Sequence, residues 1–264
     1  NYSNGVLRIL NSRLKISADN LSHVHSQNVY FKSLLSHSCG LVLFSGPTGS
    51  GKTTTLYSLL KSLRNKKIYT IEDPIEVYHD NLIQLEVNEK LGFDYSEGVK
   101  QILRHDPDII MIGEIRAPET ADMAVSLALS VHMVWSTVHA GDAFGSVRRM
   151  DHFVRSAKTG TTLDSLCDST GLNGLINQRL LPVLCSHCKR QLKNTRKAVR
   201  VRILGEGLHT RVSLLTKNRY AKICVRGSGC PHCHGYGTVG MTIAAEVVLV
   251  TPEIRELLRK GETE

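Results

Sequence analysis

The residues best suited to chemistry form a glycine-rich run early in the chain. The run reads Gly46-Pro47-Thr48-Gly49-Ser50-Gly51-Lys52-Thr53, followed by Thr54. It matches the pattern G-x-x-x-x-G-K-[ST] at every fixed position, and in that pattern backbone N–H groups surround phosphate oxygens. The Lys52 ammonium would reach the β- and γ-phosphates, and the Thr53 hydroxyl would ligate Mg²⁺. The motif therefore predicts that these residues bind the phosphates of a nucleoside triphosphate.

Carboxylates cluster where the next apolar run ends. Glu72, Asp73 and Glu76 follow the run Ile68–Ile71. Because ligands bind beyond the carboxyl ends of parallel strands, these side chains are candidates for the same site. A solvated acidic turn would have the same spacing, so that alternative stays open.

Glu114 and His139 each follow a further apolar run. Glu114 comes after Ile109–Ile112, and His139 comes directly after Met133–Val138. At a strand end, a carboxylate can orient water at a γ-phosphate or hold Mg²⁺ through water. His139 is a candidate sensor of the γ-phosphate, although a histidine taken alone is more often an ordinary surface or core residue.

Four of the seven cysteines have the spacing of metal ligands. They form the pairs Cys185-x2-Cys188 and Cys230-x2-Cys233, with 41 residues between the pairs. Two such pairs supply four thiolates, a set that tetrahedral Zn²⁺ prefers in closed structural sites. We favour this all-thiolate zinc site over its alternatives, which are two disulfides or unpaired thiols.

Other side chains near the cysteine pairs offer substitute ligands. Three histidines could replace a thiolate: His187, His232 and His234. The remaining cysteines are most simply explained as buried thiols. These are Cys39, Cys167 and Cys224.

Alternating strands and helices must position these residues. Apolar runs of strand length are followed by segments with helical periodicity. The predicted strands are 6–10, 41–44, 68–71, 109–112 and 133–138. The predicted helices are 52–64, 95–104, 119–130 and 252–260, with a further helical spacing over 21–35. This order predicts a parallel α/β sheet.

The composition indicates a globular chain with a localised positive charge. Hydrophobic residues make up 41% of the 264 residues, which excludes a disordered or collagen-like chain. No apolar run approaches the ~18 residues of a membrane span, and the first residues lack the features of a signal peptide or an initiator Met. The formal net charge of +9 is concentrated between Cys185 and Cys230, where twelve Lys or Arg residues face a single acid, Glu206.

This basic segment suggests a docking surface for an acidic protein or for an anionic membrane. A solvated basic surface without a partner is the alternative. Nucleic acid is disfavoured, because Tyr220 is the only aromatic residue in the segment that could stack on bases.

Four longer motifs contain the candidate residues of the nucleotide site. They are GPTGSGKTTTLYSLL at 46–60, YTIEDPIEV at 69–77, RHDPDIIMIGEIRAPETADMAV at 104–125 and STVHAGDAFGSVRRM at 136–150. In order and spacing they resemble the type II secretion and type IV pilus assembly ATPases, and the resemblance covers about residues 6–260. It implies a RecA-like core with a parallel sheet, a small zinc-binding insert and a short C-terminal helical part.

The resemblance also implies roles for the candidate residues. Glu114 would be the catalytic carboxylate, and His139 would monitor the state of the nucleotide. The carboxylates that would help to organise Mg²⁺ and water are Glu72, Asp73 and Glu76. Arg104 and Arg116 would link the site to neighbouring parts of a hexamer.

Two departures from the family are visible. The family commonly has glycine before the earlier histidine, whereas here Val131 precedes His132. The residues after His139 are Ala140 and Gly141, where the family usually has threonine and asparagine. Both changes would weaken polar contacts near the site and could slow turnover.

The implied organisation has four parts. Residues 1–16 would be the end of a preceding domain with its linker, and 17–180 would be the ATPase core. Residues 181–237 would form the tetracysteine module, and 238–264 would begin a C-terminal helical subdomain. On this interpretation the chain is a motor core without its neighbouring domains.

By resemblance, the protein would be a cytoplasmic motor at the inner membrane of a bacterium. It would use ATP, Mg²⁺ and a structural Zn²⁺, act as a homo-hexamer, and drive an inner-membrane platform protein that assembles a type IV pilus or a type II secretion pseudopilus. The alternatives are a nucleic-acid translocating P-loop ATPase, a nucleotide-binding protein without hydrolysis, and a pilus retraction motor, which generally lacks the tetracysteine insert.

Overall fold

The computed structural model describes residues 17–157, 159, 162–167, 171–191 and 223–260. The chain divides into two compact units. The first consists of two segments, one that ends at Leu180 and one that begins at Ile243, and the second is Leu181–Thr242. The strand predicted at 6–10 lies outside the described residues, as does most of the basic segment, from 192 to 222.

A seven-stranded sheet carries the candidate residues. Its strands are β1 (Gly40–Ser45), β2 (Ile68–Glu72), β3 (Ile83–Glu86), β4 (Ile109–Ile112), β5 (Met133–Val138), β6 (Leu172–Leu184) and β9 (Thr238–Leu249), in the spatial order β3-β2-β4-β5-β1-β6-β9. The pairs β1–β5, β1–β6, β2–β3, β2–β4 and β4–β5 are all parallel. The predicted parallel α/β class is therefore confirmed.

Helices connect these strands. They are α1 (His25–Ser33), α2 (Lys52–Leu60), α3 (Tyr95–Leu103), α4 (Pro118–Leu129), α5 (Ala143–Ala157), α6 (Leu163–Leu166) and α7 (Pro252–Arg259). Local sequence determines where two of these helices begin. At the start of α3 the Asp94 carboxylate accepts a hydrogen bond from the Glu97 N–H at 2.8 Å, and Pro118 is the first residue of α4. In the second unit, β7 (Arg190–Gln191) pairs with β8 (Cys224–Val225) in antiparallel fashion.

The core forms two layers because successive side chains of a strand point to opposite faces. Leu41 and Leu43 of β1 belong to one buried cluster, whereas Val42 and Phe44 belong to the other. Trp135, the only tryptophan of the chain, is fully buried and stacks on Phe44 with ring centroids 5.5 Å apart. Its fluorescence can therefore report the unfolding of this core.

Several element boundaries differ from the sequence prediction. Helix α1 begins at His25 and not near Leu21, because Val24 has an extended backbone (φ −93°, ψ 108°). Helix α2 ends at Leu60, and the chain then tightens, with the Ser62 N–H donating to the Leu59 carbonyl at 3.0 Å. The segment from 238, predicted to begin a helical subdomain, instead begins with strand β9, and its helix starts only at Pro252. Strands β3, β6, β7, β8 and β9 and helices α5 and α6 were not predicted.

Val131 is a site of backbone strain. It follows α4 with a left-handed φ of 68°, and its side chain is 72% exposed. Helices often place glycine at this position, because a branched side chain in this conformation costs about 1–2 kcal/mol.

We expect Val131→Gly to raise the melting temperature by about 2–4 °C, since the strain it relieves exceeds the added chain entropy by about 1 kcal/mol. Trp135 fluorescence during heating measures the change. Val29→Gly is the matched control: Val29 is exposed within α1, so glycine there should lower the melting temperature. A lower melting temperature for Val131→Gly would contradict the inference that the backbone is strained at Val131.

Candidate functional site

The glycine-rich run connects β1 to α2. Gly46 and Gly51 have φ values of 138° and 82°, which L-residues with side chains rarely adopt. Gly46 is also required for space, because a Cβ there would lie 2.4 Å from the Gln178 carbonyl oxygen. Helix α2 begins at Lys52, so its unpaired N–H groups lie at the loop. This is the strand, loop and helix arrangement that the motif requires.

Lys52 is buried and points back into the loop. Its Nζ donates hydrogen bonds to the carbonyl oxygens of Gly46 at 2.9 Å and Pro47 at 3.3 Å. Burial lowers the pKa of Lys52, while the nearby charge of Glu114 opposes the shift. The ammonium is thus held by two carbonyl oxygens of its own loop.

Strand β6 supports this loop from a distant part of the sequence. The Gln178 side chain donates from Nε2 to the Ser50 carbonyl at 2.7 Å, and Asn177 donates from Nδ2 to Ser45 Oγ at 2.9 Å. The Leu180 side chain would come within 3.4 Å of a Cβ on Gly51. The sequence analysis missed these residues, because no motif or periodicity marked the strand that contains them.

Glu114 lies between two basic side chains. Its Oε2 is 2.7 Å from Arg116 Nη2, and its Oε1 is 2.9 Å from His139 Nε2. The other ring nitrogen of His139 is 3.3 Å from the Gly46 carbonyl oxygen. The hydrogen bond from Arg116 to Glu114 raises the pKa of Arg116. The ends of β4 and β5 thereby bring the predicted carboxylate and histidine together beside the loop.

The other acidic residues differ in exposure. Glu72 is buried, whereas Asp73 is exposed and Glu76 is half-buried. Tyr95, at the start of α3, lies near them: burial, reinforced by the charge of Asp73, raises the pKa of its phenol to about 12. A fully solvated acidic turn is therefore wrong for Glu72, which is enclosed at the end of β2.

These side chains line one cleft of about 420 Å³, within the size range of small-molecule sites. The predicted residues that line it are Thr48, Gly49, Ser50, Gly51, Lys52, Thr53, Thr54, Glu72, Asp73, Glu76, Glu114, Arg116 and His139. The lining residues that the sequence analysis missed are Pro74, Tyr95, Met111, Gly113, Thr137 and Leu180. Gly46 and Pro47 contribute through the carbonyls that hold Lys52.

Arg104 lies apart from this cleft. It directly follows helix α3, is exposed, and does not line the cleft. Its predicted link to neighbouring subunits stays a prediction.

The four paired cysteines form one cluster in the second unit. The sulfur atoms of Cys185 and Cys230 are 3.8 Å apart, as are those of Cys188 and Cys233, and 3.7 Å separates Cys230 from Cys233. All four ligand atoms lie within 4.8 Å of one another, and each thiol is free. A tetrahedral ion with Zn–S bonds of about 2.3 Å needs sulfur atoms about 3.8 Å apart, so the cluster fits zinc.

Backbone N–H groups support this cluster. The N–H groups of Cys230 and Gly237 lie 3.3 and 3.0 Å from the sulfur of Cys233. Such contacts stabilise a thiolate, the form that binds metal. Of the histidines considered as substitutes, His187 and His232 contact each other with their rings tilted by 38° and their centroids 4.1 Å apart, and both are exposed. Among the described residues, the potential ligand cluster consists of the four cysteines.

In the described part of the chain, no helix is both long and apolar enough to cross a bilayer.

Comparison with known proteins decides the family. A family model described as type II/IV secretion system protein matches residues 3–264. The chain belongs to the type II/IV secretion system protein family. This confirms the family that the four motifs indicated.

Individual relatives agree with this family. The putative type II secretion system protein E of Escherichia coli (strain K12) is 33% identical, over 98% of this chain and 49% of that protein. The type IV pilus assembly ATPase PilB of Pseudomonas aeruginosa is 36% identical, over 96% of this chain and 42% of that protein. The chain thus spans about half the length of the curated relatives it matches.

A solved structure supports the fold. The crystal structure of the pilus retraction motor PilT with bound ADP matches with a TM-score of 0.64 and 26% identity. The match covers 97% of this chain and 59% of that chain. The predicted fold class, a parallel α/β core with a tetracysteine module, is confirmed.

Proposed function

We propose that this chain is the ATP-hydrolysing core of a motor that assembles a type IV pilus or a type II secretion pseudopilus. The observation that carries the proposal is the convergence of the phosphate loop (the glycine-rich run of residues 46–53), its Lys52 and Glu114 at one cleft. The relatives named as a secretion protein and a pilus assembly ATPase supply the biological context.

In this proposal, the phosphate loop binds the triphosphate and Lys52 exchanges its two carbonyl partners for phosphate oxygens. Glu114 orients a water molecule for in-line attack on the γ-phosphate. His139 contacts both Glu114 and the Gly46 carbonyl, so it is suited to respond when a phosphate enters the loop.

The donor set of the cleft also fits Mg²⁺. The Thr53 hydroxyl and the carboxylates of Asp73, Glu76 and Glu114 line the cleft and offer the hard oxygen ligands that Mg²⁺ prefers. When bound, Mg²⁺ would neutralise charge on the phosphates. Zn²⁺ in the tetracysteine cluster would instead have a structural role.

The partners follow from the family. We propose that the chain works as a homo-hexamer on the cytoplasmic face of the inner membrane, and that it drives a platform protein there. The likeness to PilT favours a second candidate, a retraction motor. The tetracysteine cluster favours assembly, because the retraction branch generally lacks that insert.

The test is ATP hydrolysis by the full chain. We expect Mg²⁺-dependent release of phosphate that is stimulated by vesicles containing anionic phospholipid and not by DNA. Stimulation by DNA that disappears at high salt would instead indicate a nucleic-acid translocase. The absence of both nucleotide binding and phosphate release would overturn the proposal.

A further inference from the structure

Glu72 is enclosed by donors from its own protein. It ends β2, lines the cleft and is only 3% exposed. The Thr70 hydroxyl donates to its Oε1 at 2.6 Å, and the Tyr57 hydroxyl donates to its Oε2. Burial and the charge of Glu72 raise the pKa of Tyr57, so the phenol keeps the proton that it donates.

Gln84 of β3 extends this contact to the loop between β2 and β3. Its Nε2 is 3.2 Å from Glu72 Oε1, 3.2 Å from the Tyr57 hydroxyl and 3.0 Å from the Val77 carbonyl. Its Oε1 accepts a hydrogen bond from the His79 N–H at 2.7 Å. We call Tyr57, Thr70, Glu72 and Gln84 the Glu72 cluster.

The cluster joins the two parts of the cleft that must act together. Tyr57 lies on α2, the helix that begins at Lys52 and includes Thr53. Asp73 and Glu76 lie in the loop that follows Glu72, and both line the cleft. The cluster therefore connects the phosphate-binding helix to the acidic loop through a buried carboxylate.

These hydrogen bonds also distinguish Glu72 from the other carboxylates of the cleft. Both of its oxygens already accept hydrogen bonds from side chains. Giving up such a bond for a metal would be costly, because it removes a donor from a buried charge. Asp73, Glu76 and Glu114 line the same cleft and are more exposed than Glu72. Glu72 is thus better suited to hold the loop in place than to bind metal.

We propose that Tyr57 and Gln84 are positioning residues that act through Glu72 to fix the acidic loop relative to the phosphate loop. This inference rests on the proposed ATPase function. It predicts that the cluster affects turnover more than nucleotide affinity, because the phosphate loop itself stays intact.

The decisive variant is Tyr57→Phe, which removes the hydroxyl and keeps a ring that is 5% exposed and packs edge-on against His79. We expect kcat to fall about tenfold, while KM for ATP changes less than about twofold. Hydrogen exchange of the backbone amides in 73–82 should become faster. Gln84→Met should shift both measurements the same way and should most affect the His79 amide.

Tyr69→Phe is the matched control. Tyr69 lies on β2, is 7% exposed and stacks on His105, and it is not part of the Glu72 cluster. It should leave turnover and exchange in 73–82 unchanged, and Trp135 fluorescence should show that all variants are folded.

An unchanged kcat in Tyr57→Phe, or a loss that appears only in KM, would overturn the inference. If the unaltered chain hydrolyses no ATP, the proposed function is wrong, but hydrogen exchange of the backbone amides in 73–82 still tests the role of the Glu72 cluster. Faster exchange in Tyr57→Phe but not in Tyr69→Phe would support it, and equal exchange in both variants would overturn it.

Discussion

ATP turnover by the Glu114→Gln variant should fall at least about a hundredfold, while nucleotide binding stays within about threefold of the unaltered chain. Glutamine keeps the size of the side chain but loses the charge that orients the attacking water. In the structure both carboxylate oxygens face basic groups, at 2.7 Å from Arg116 and 2.9 Å from His139. The amide can present only one acceptor to these groups, so the side chain also loses its orientation.

Lys52→Ala should fail at an earlier step. Its ammonium donates two hydrogen bonds inside the loop, and the loss of charge-assisted bonds of this kind to phosphate should weaken ATP binding at least about tenfold. Titration with a fluorescent nucleotide measures binding, and phosphate release in a single turnover measures hydrolysis. The two variants therefore separate binding from chemistry.

Glu119→Gln is the control for this pair. Glu119 is an exposed carboxylate in the first turn of α4, outside the cleft, so the substitution should change neither measurement. Turnover that remains undiminished in both Glu114→Gln and Lys52→Ala would contradict the assignment of the cleft. Equal losses of binding in the two variants would contradict the separate role of Glu114.

The part of the cleft that sequence could predict consists of short motifs at strand ends. The phosphate loop is contiguous, and its glycines, Lys52 and Thr53 identify it without tertiary information. Glu114 and His139 could be placed beside it because β1, β4 and β5 are parallel, so their carboxyl ends share one edge of the sheet. The roles taken from the family for these residues remain predictions.

The remaining contacts depend on the packing of distant segments. Gln178 supports the phosphate loop across a separation of 128 residues from Ser50, and its strand gave no motif. The burial of Glu72 depends on hydroxyl and amide donors from α2, β2 and β3, whereas a carboxylate in sequence is expected to face water. Contacts of this kind can be recognised only when the strand order is known.

We propose that the tetracysteine cluster holds a zinc ion, and removal of this ion should have a large effect. We expect one Zn²⁺ per chain, and Cys185, Cys188, Cys230 and Cys233 should resist alkylation by N-ethylmaleimide until a chelator is added. Structural zinc sites contribute roughly 10–16 kcal/mol of folding free energy, so chelation should also speed hydrogen exchange around the cysteine pairs. Mass spectrometry of the alkylated peptides and of zinc content measures these changes.

Cys230→Ser and Cys224→Ser provide the matched comparison within the same unit. Cys230 has two cysteine sulfurs within 3.8 Å, so its loss leaves three thiolates and should abolish tight zinc binding. Cys224 lies on β8 and is not part of the cluster, so Cys224→Ser should retain one zinc and the same alkylation pattern. Thiols exposed by a reductant and not by a chelator would identify disulfides and contradict the zinc site. Thiols that are alkylated freely before either treatment would contradict it as well, because a bound metal must occupy the thiolates.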